Sequence, residues 1–163
     1  MKQKLVIVTL VFAMLPLFAF AQTPMPQAFT GTWKITRAVI GPWADPERPM
    51  DIGDEKERLM GQTITFKPKA VVGLKHLGCN AKPHYEIRPN DAPNMLFQGA
   101  LEGTEYVTKI HADAADLARG LGMTTPTIPT LAGACEEIEF HMVQSDQLMF
   151  GLNNHVYYLE RVK

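Results

Sequence analysis

The last third of the chain alternates apolar and polar side chains with a period of two, the pattern of strands whose successive side chains point to opposite faces. Asn153-Asn154 suits a two-residue turn, because asparagine tolerates positive φ. That turn pairs Leu152 with His155, Phe150 with Tyr157 and Leu148 with Leu159, and it sets all six on one face, with the alternation continuing to Arg161. Upstream, Ile138, Phe140 and Met142 fall opposite Leu152, Phe150 and Leu148 if Gln144, Ser145 and Asp146 form a three-residue connection. A two-residue connection would bring His141 and Glu139 onto the apolar face instead. The pattern therefore predicts an antiparallel meander over 136–162, with Glu137, Glu139 and His141 facing water.

Other segments also read as strands. "GTWKITRAVI" is rich in β-branched and aromatic residues, and "QTITFKPKAVVGL" is a strand with a break at Lys67-Pro68 or a hairpin there. "HYEIRP" and "MLFQGAL" read as short strands on either side of the turn "PNDAPN". "MTTPTIPTLAGA" is expected to run extended, since Pro126 and Pro129 disfavour helix. Two stretches depart from this pattern. Tyr106, Val107, Ile110, Ala114, Leu117, Ala118 and Leu121 recur at helical spacing, which predicts a helix over about 105–119, with Thr104 as cap and Gly120 at its end. Within the long loop 41–61, Asp54 and Glu57 fit a cap and its reciprocal partner, and Gly61 fits a stop, so a short helix over 55–60 is expected. The fold class is mainly β: a small antiparallel barrel or strongly curved sheet with one longer helix.

The N-terminus sets the compartment. Lys2 and Lys4 precede an uncharged run from Leu5 to Phe20, and Ala19-Phe20-Ala21 supplies the small residues of a cleavage site. Residues 1–21 read as a cleaved signal peptide, 22–29 as a Pro-rich lead-in, and 30–163 as a single domain. The run is short for a membrane span and Pro16 interrupts it, so no stable membrane anchor is expected after cleavage. The address is periplasmic or secreted. Without Lys2 and Lys4, 14 basic side chains face 17 acidic ones, and a net charge near −3 argues against nucleic acid as a partner.

In an oxidising compartment two cysteines read as a disulfide. Cys79–Cys135 would close a loop of about 57 residues, which the chain-entropy model values on the order of 4 kcal/mol. A zinc site of His76, Cys79 and His84 is the rival reading. It lacks a CxxC or HxxxH pair and a fourth ligand. A free catalytic thiol is the third.

Gly31-Thr32-Trp33 at the start of the first strand, with Arg161 on the core side of the last, resembles the lipocalin-like (calycin) arrangement. That resemblance implies a barrel whose first-strand indole packs on a late basic side chain. The stretch "ITFKPKAVVGLKHLGCNAKPHY", with its Gly78-Cys79-Asn80, is similar to the strand–Gly–"GCN"–Tyr pattern of META domains, small β-rich domains of bacterial envelope proteins. Both imply a small exported β domain, and neither carries a catalytic residue to transfer.

Enzyme chemistry finds little support in the chain. The only serine after the leader, Ser145, sits in a hairpin connection without Gly-x-Ser-x-Gly, and no HExxH, P-loop, calcium loop or GxGxxG occurs. No cofactor is implied. The expected function is binding to another envelope or secreted protein, as an inhibitor or immunity-type module. Its contact surface would be the 41–61 loop, with Trp43 as anchor among Asp45, Glu47, Asp51, Asp54 and Glu55. A carrier of a small apolar ligand inside the barrel is the alternative, and an envelope enzyme of unknown type the second.

Overall fold

A computed structural model describes residues 26–45, 47, 53–79, 85–136 and 138–163. The leader call over 1–21 lies outside them, as do Asp51, His84 and Glu137. Eight strands form one antiparallel sheet: β1 (Gly31–Ile40), β2 (Thr63–Lys67), β3 (Ala70–Gly73), β4 (Glu86–Asp91), β5 (Ile128–Cys135), β6 (Ile138–Gln144), β7 (Gln147–Leu152) and β8 (His155–Arg161). Their order is β3-β2-β1-β8-β7-β6-β5-β4. The sheet is thus two meanders, β1–β3 and β4–β8, joined edge to edge where the first strand pairs with the last. It curls into a half-barrel, with β3 and β4 as its edges.

Two contacts tie the described residues between β3 and β4 to the sheet. Cys79 and Cys135 form a disulfide, which fixes the stretch after β3 to the end of β5. Tyr85, just before β4, shares its hydroxyl between the carbonyls of Lys67 and Ala70 in the β2–β3 hairpin, 3.0 Å from each. With its sulfur in the disulfide, Cys79 offers no thiolate to a metal, which corrects the zinc alternative with His76 and His84.

The C-terminal hairpin has the expected register: Leu152 opposite His155, Phe150 opposite Tyr157, Leu148 opposite Leu159. Met142 lies opposite Leu148 as expected, but through a different connection. Gln144 pairs with Gln147 around a tight Ser145-Asp146 turn, and a bulge between Met142 and Gln144 restores the register. The inner face carries Trp33, Ile35, Ile64, Phe66, Phe140, Phe150, Tyr157 and Leu159, all fully buried. Phe66, Phe140, Phe150 and Tyr157 touch in series, with ring centroids 5.0–5.5 Å apart.

A bulge between Ile35 and Arg37 reverses the facing of β1. Trp33 and Ile35 point inward before it, Ala38 after it, while Val39 joins the outer face. At the start of β1, the Arg161 guanidinium lies over the Trp33 ring, 4.1 Å from its centroid. Arg161 also donates to the carbonyls of Thr30, Ala28 and Ser145. Gly31 has φ +129°, a conformation that favours glycine, and a Cβ there would also crowd Arg161 Nη1 at 2.9 Å.

The outer face departs from expectation. It is covered by the excursion between β4 and β5, which holds a 3-10 segment Pro93–Gly99, helix α2 (Ala100–Thr108) and helix α3 (Ala114–Gly120). These pack Leu96, Phe97, Leu101, Ala118, Leu121 and Met123 on Ile128, Met149, Val156 and Tyr158 in a second core. Three expectations change. "MLFQGAL" is a kinked turn into α2 rather than a strand: the turn opened by Pro93 breaks at Leu96, which is extended, and Phe97 and Gln98 take positive φ before the helix starts at Ala100. The single helix over 105–119 is two. Lys109, in the left-handed conformation, ends α2, and Asp113 restarts α3 by accepting from the Ala115 N–H at 2.7 Å. Thr104 is buried inside α2 instead of capping it, and Gly122, not Gly120, takes the positive φ. Finally, His141 is fully buried and Glu139 largely so, because this second layer covers the face expected to meet water. The short helix of the 41–61 segment is α1 (Gly53–Leu59). Asp54 lies in its first turn, and Gly61 follows at φ +79°.

Candidate functional site

Residues 41–44 and helix α1 both lie against the end of the sheet. Gly41 N–H donates to Asn154 O at 2.8 Å, and Ala44 N–H closes a turn onto Gly41 O at 3.0 Å. Between them Trp43 folds back, and its Nε1 donates to Asn153 O at 2.7 Å. Its ring packs on Phe97, with centroids 5.1 Å apart and planes at 42°. Gly151 is the floor of this arrangement: a Cβ there would meet Phe97 Cδ1 at 3.0 Å and Trp43 Cη2 at 3.2 Å. Glycine inside an alternating strand marks a close approach, here of two aromatic rings.

Trp43, Phe97, Ala100, Glu139, Gly151 and Asn153, with Gln98 and Leu152, enclose an open cleft of about 240 Å³. The walls come from the loop after β1, the turn into α2 with that helix's first residue, the start of β6, and the end of β7 with the turn that follows it.

Behind Phe97 lies a polar row across the outer face. The strand pairings set Arg88, Thr130, His141, Met149, Tyr158 and Arg37 side by side. His141 Nε2 accepts from the Phe97 N–H at 3.0 Å, so in the neutral ring the proton sits on Nδ1, 3.0 Å from Thr130 Oγ1. The Phe97 ring meets the imidazole edge-on at 4.6 Å. Burial, and secondarily the Arg88 charge, push the His141 pKa down to about 3. Arg88 pairs with Asp91 at 3.2 Å and with Glu139 Oε1. The other Glu139 oxygen, Oε2, is buried and has no hydrogen-bond partner among the described residues.

Helix α1 is tied to the same turn as Trp43. Glu55 accepts from Asn153 Nδ2 at 2.6 Å and from the Tyr157 hydroxyl at 3.0 Å. Burial and this carboxylate raise the Tyr157 phenol well above its ordinary pKa.

Of the residues singled out in the sequence, Trp43 and Glu55 meet on the β7–β8 turn. Trp43 is half-buried there. Asp45 is half-buried, and its Oδ1 accepts from the Glu47 N–H at 2.9 Å; the Glu47 and Asp54 side chains are exposed. Sequence reasoning missed Phe97, Glu139, Gly151 and Asn153 as neighbours of Trp43. Gly151, interrupting "LMFGL", was the available signal. Among the described residues, no three His, Cys, Asp or Glu side chains gather as a metal would require, and no helix is long and apolar enough to cross a membrane.

The fold and site define a mainly β, disulfide-linked half-barrel with a small aromatic-walled cleft at one end. Comparison of the chain with protein-family models, curated proteins and solved structures gives no match in any of the three.

Proposed function

We propose that this is an exported binding protein that acts without catalysis, contacting another envelope or secreted protein through the 41–61 segment and the sheet end on which it lies. The observation that carries the reading is the double attachment of that segment to one turn. Trp43 holds the backbone carbonyl of Asn153, and Glu55 holds its side-chain amide. Side chains held on one turn of a sheet, as Trp43 and Glu55 are, lose little freedom on binding. The segment carries Asp45, Glu47, Asp54 and Glu57 at or near the surface, so the partner's facing surface is basic. The inner face carries the fully buried side chains of Trp33, Phe66, Phe140, Phe150 and Tyr157.

The test is capture of envelope proteins by the tagged protein, followed by affinity measurements across a salt series. The captured partner should be basic, and its association should slow as salt rises beyond physiological strength. Trp43→Ala should weaken binding by at least about 1–2 kcal/mol. A partner whose affinity ignores both salt and Trp43 would place the contact surface elsewhere.

A further inference from the structure

We infer that the cleft beneath Trp43 receives one guanidinium or ammonium side chain of the partner, stacked on the indole and hydrogen-bonded to Glu139. This rests on the proposed binding role and gives the partner's anchor its chemistry.

Three observations lead to it. The first is size. At about 240 Å³ the cleft falls below the roughly 300–1,000 Å³ of sites that enclose a whole small molecule. It has room for a single long side chain.

The second is charge. Arg88, Asp91 and Glu139 together carry one net negative charge. His141 adds no positive charge, because its Nε2 is engaged as an acceptor. Arg88 holds one Glu139 oxygen, and the other, Oε2, is buried without a donor among the described residues. A carboxylate oxygen in that position takes a charged N–H donor more strongly than a neutral one.

The third is the wall. Trp43 and Phe97 line the same cleft as Glu139, and an aromatic face beside a carboxylate is the pairing that selects a cation on an apolar stem. Oε2 has no contact with bulk water, so the guest must part the rim, where Gln98 is exposed and Trp43 half-exposed.

The experiment follows the Trp43 indole N–H and the Gly151 amide by NMR in the purified full chain, during titration with N-acetyl-L-arginine amide. N-acetyl-L-glutamine amide is the neutral control. Saturable shifts at both positions with the arginine probe, and none with the control, are expected. Glu139→Gln should weaken the arginine probe at least tenfold. Because that change also disturbs Arg88, Ala100→Leu provides a second variant: it fills the cleft, leaves the ion pairs alone, and should abolish the shifts with the fold intact by circular dichroism. Equal shifts with both probes, or full binding by either folded variant, overturns the assignment. Tenfold tighter binding of free L-arginine than of the blocked amide also overturns it, since the guest would then be a free amino acid. A captured partner whose affinity is indifferent to Glu139→Gln and Ala100→Leu would leave the binding role standing and remove this anchor. Arginine binding at the cleft without any captured protein would do the reverse.

Discussion

His141 shows how one side chain joins the sheet to the cleft. Its Nε2 holds the Phe97 N–H at a turn where Phe97 and Gln98 both take positive φ, at 51° and 58°. That conformation costs a non-glycine residue of order 1 kcal/mol or more and persists where surroundings fix it. Burial, with the Arg88 charge second, lowers the folded pKa to about 3, and protonating Nε2 would also remove the acceptor. The sign of the linkage follows. Above pH 6.5 the ring is neutral in both folded and unfolded chains, and the stability is fully present. Between 6.5 and about 3 only the unfolded chain takes the proton, so stability falls by up to about 1.4 kcal/mol per pH unit. Urea denaturation at pH 7 and at pH 5 should show this loss. His141→Gln, which keeps an acceptor but does not titrate, should show a shallower dependence. Equal slopes would mean that other groups set the acid limit. At the other end of the sheet, Trp33 is fully buried, with Nε1 donating to Phe29 O at 2.9 Å. Trp33→Ala should cost about 3–5 kcal/mol. Arg161→Ala should cost less, by removing the cover over that ring and the ties to Thr30 and Ala28; denaturant midpoints would rank the two.

At the level of elements, the inner face was legible because its alternation is strict. Ile138, Phe140, Leu148, Phe150, Tyr157 and Leu159 fix both facing and register, since a one-residue slip would turn every one of them to the other side. The outer face misled because Glu139 and His141 are polar, and polarity was read as contact with water. The counter-signal was "VYYL" in β8, a run apolar at consecutive positions, which belongs to a strand covered on both sides. Val156 and Tyr158 are buried accordingly. The helical excursion was only half visible. Its apolar spacing was clear, but Asp113 as a second start and the left-handed Lys109 were hidden within a pattern that continues across both helices. The cleft was least legible, because its walls come from segments whose meeting depends on that excursion packing over β7. The β2–β3 hairpin offers a local test. Tyr85 bonds two of its carbonyls through one hydroxyl, and burial pushes that phenol up to about 12. Tyr85→Phe should cost about 0.5–1.5 kcal/mol and speed amide exchange in the hairpin; unchanged exchange would show that the disulfide alone holds this side.

For the whole molecule, the disulfide and Tyr85 act where hydrogen bonding between strands stops. Reducing Cys79–Cys135 should cost about 2–5 kcal/mol and lower the thermal midpoint; a reduced protein of unchanged midpoint would show that the residues between β3 and β4 are held without it. The strand order has a further consequence, in the time domain. The β1–β3 meander has only β8 to connect it to the rest of the sheet. The partners Trp33 and Arg161 lie at opposite ends of the described chain. No early collapse of the N-terminal strands can complete the sheet, because the strand that unites its halves follows the other seven in the chain. Such non-local pairing makes folding slow, and a chain emerging from N- to C-terminus stays incomplete until β8 is released.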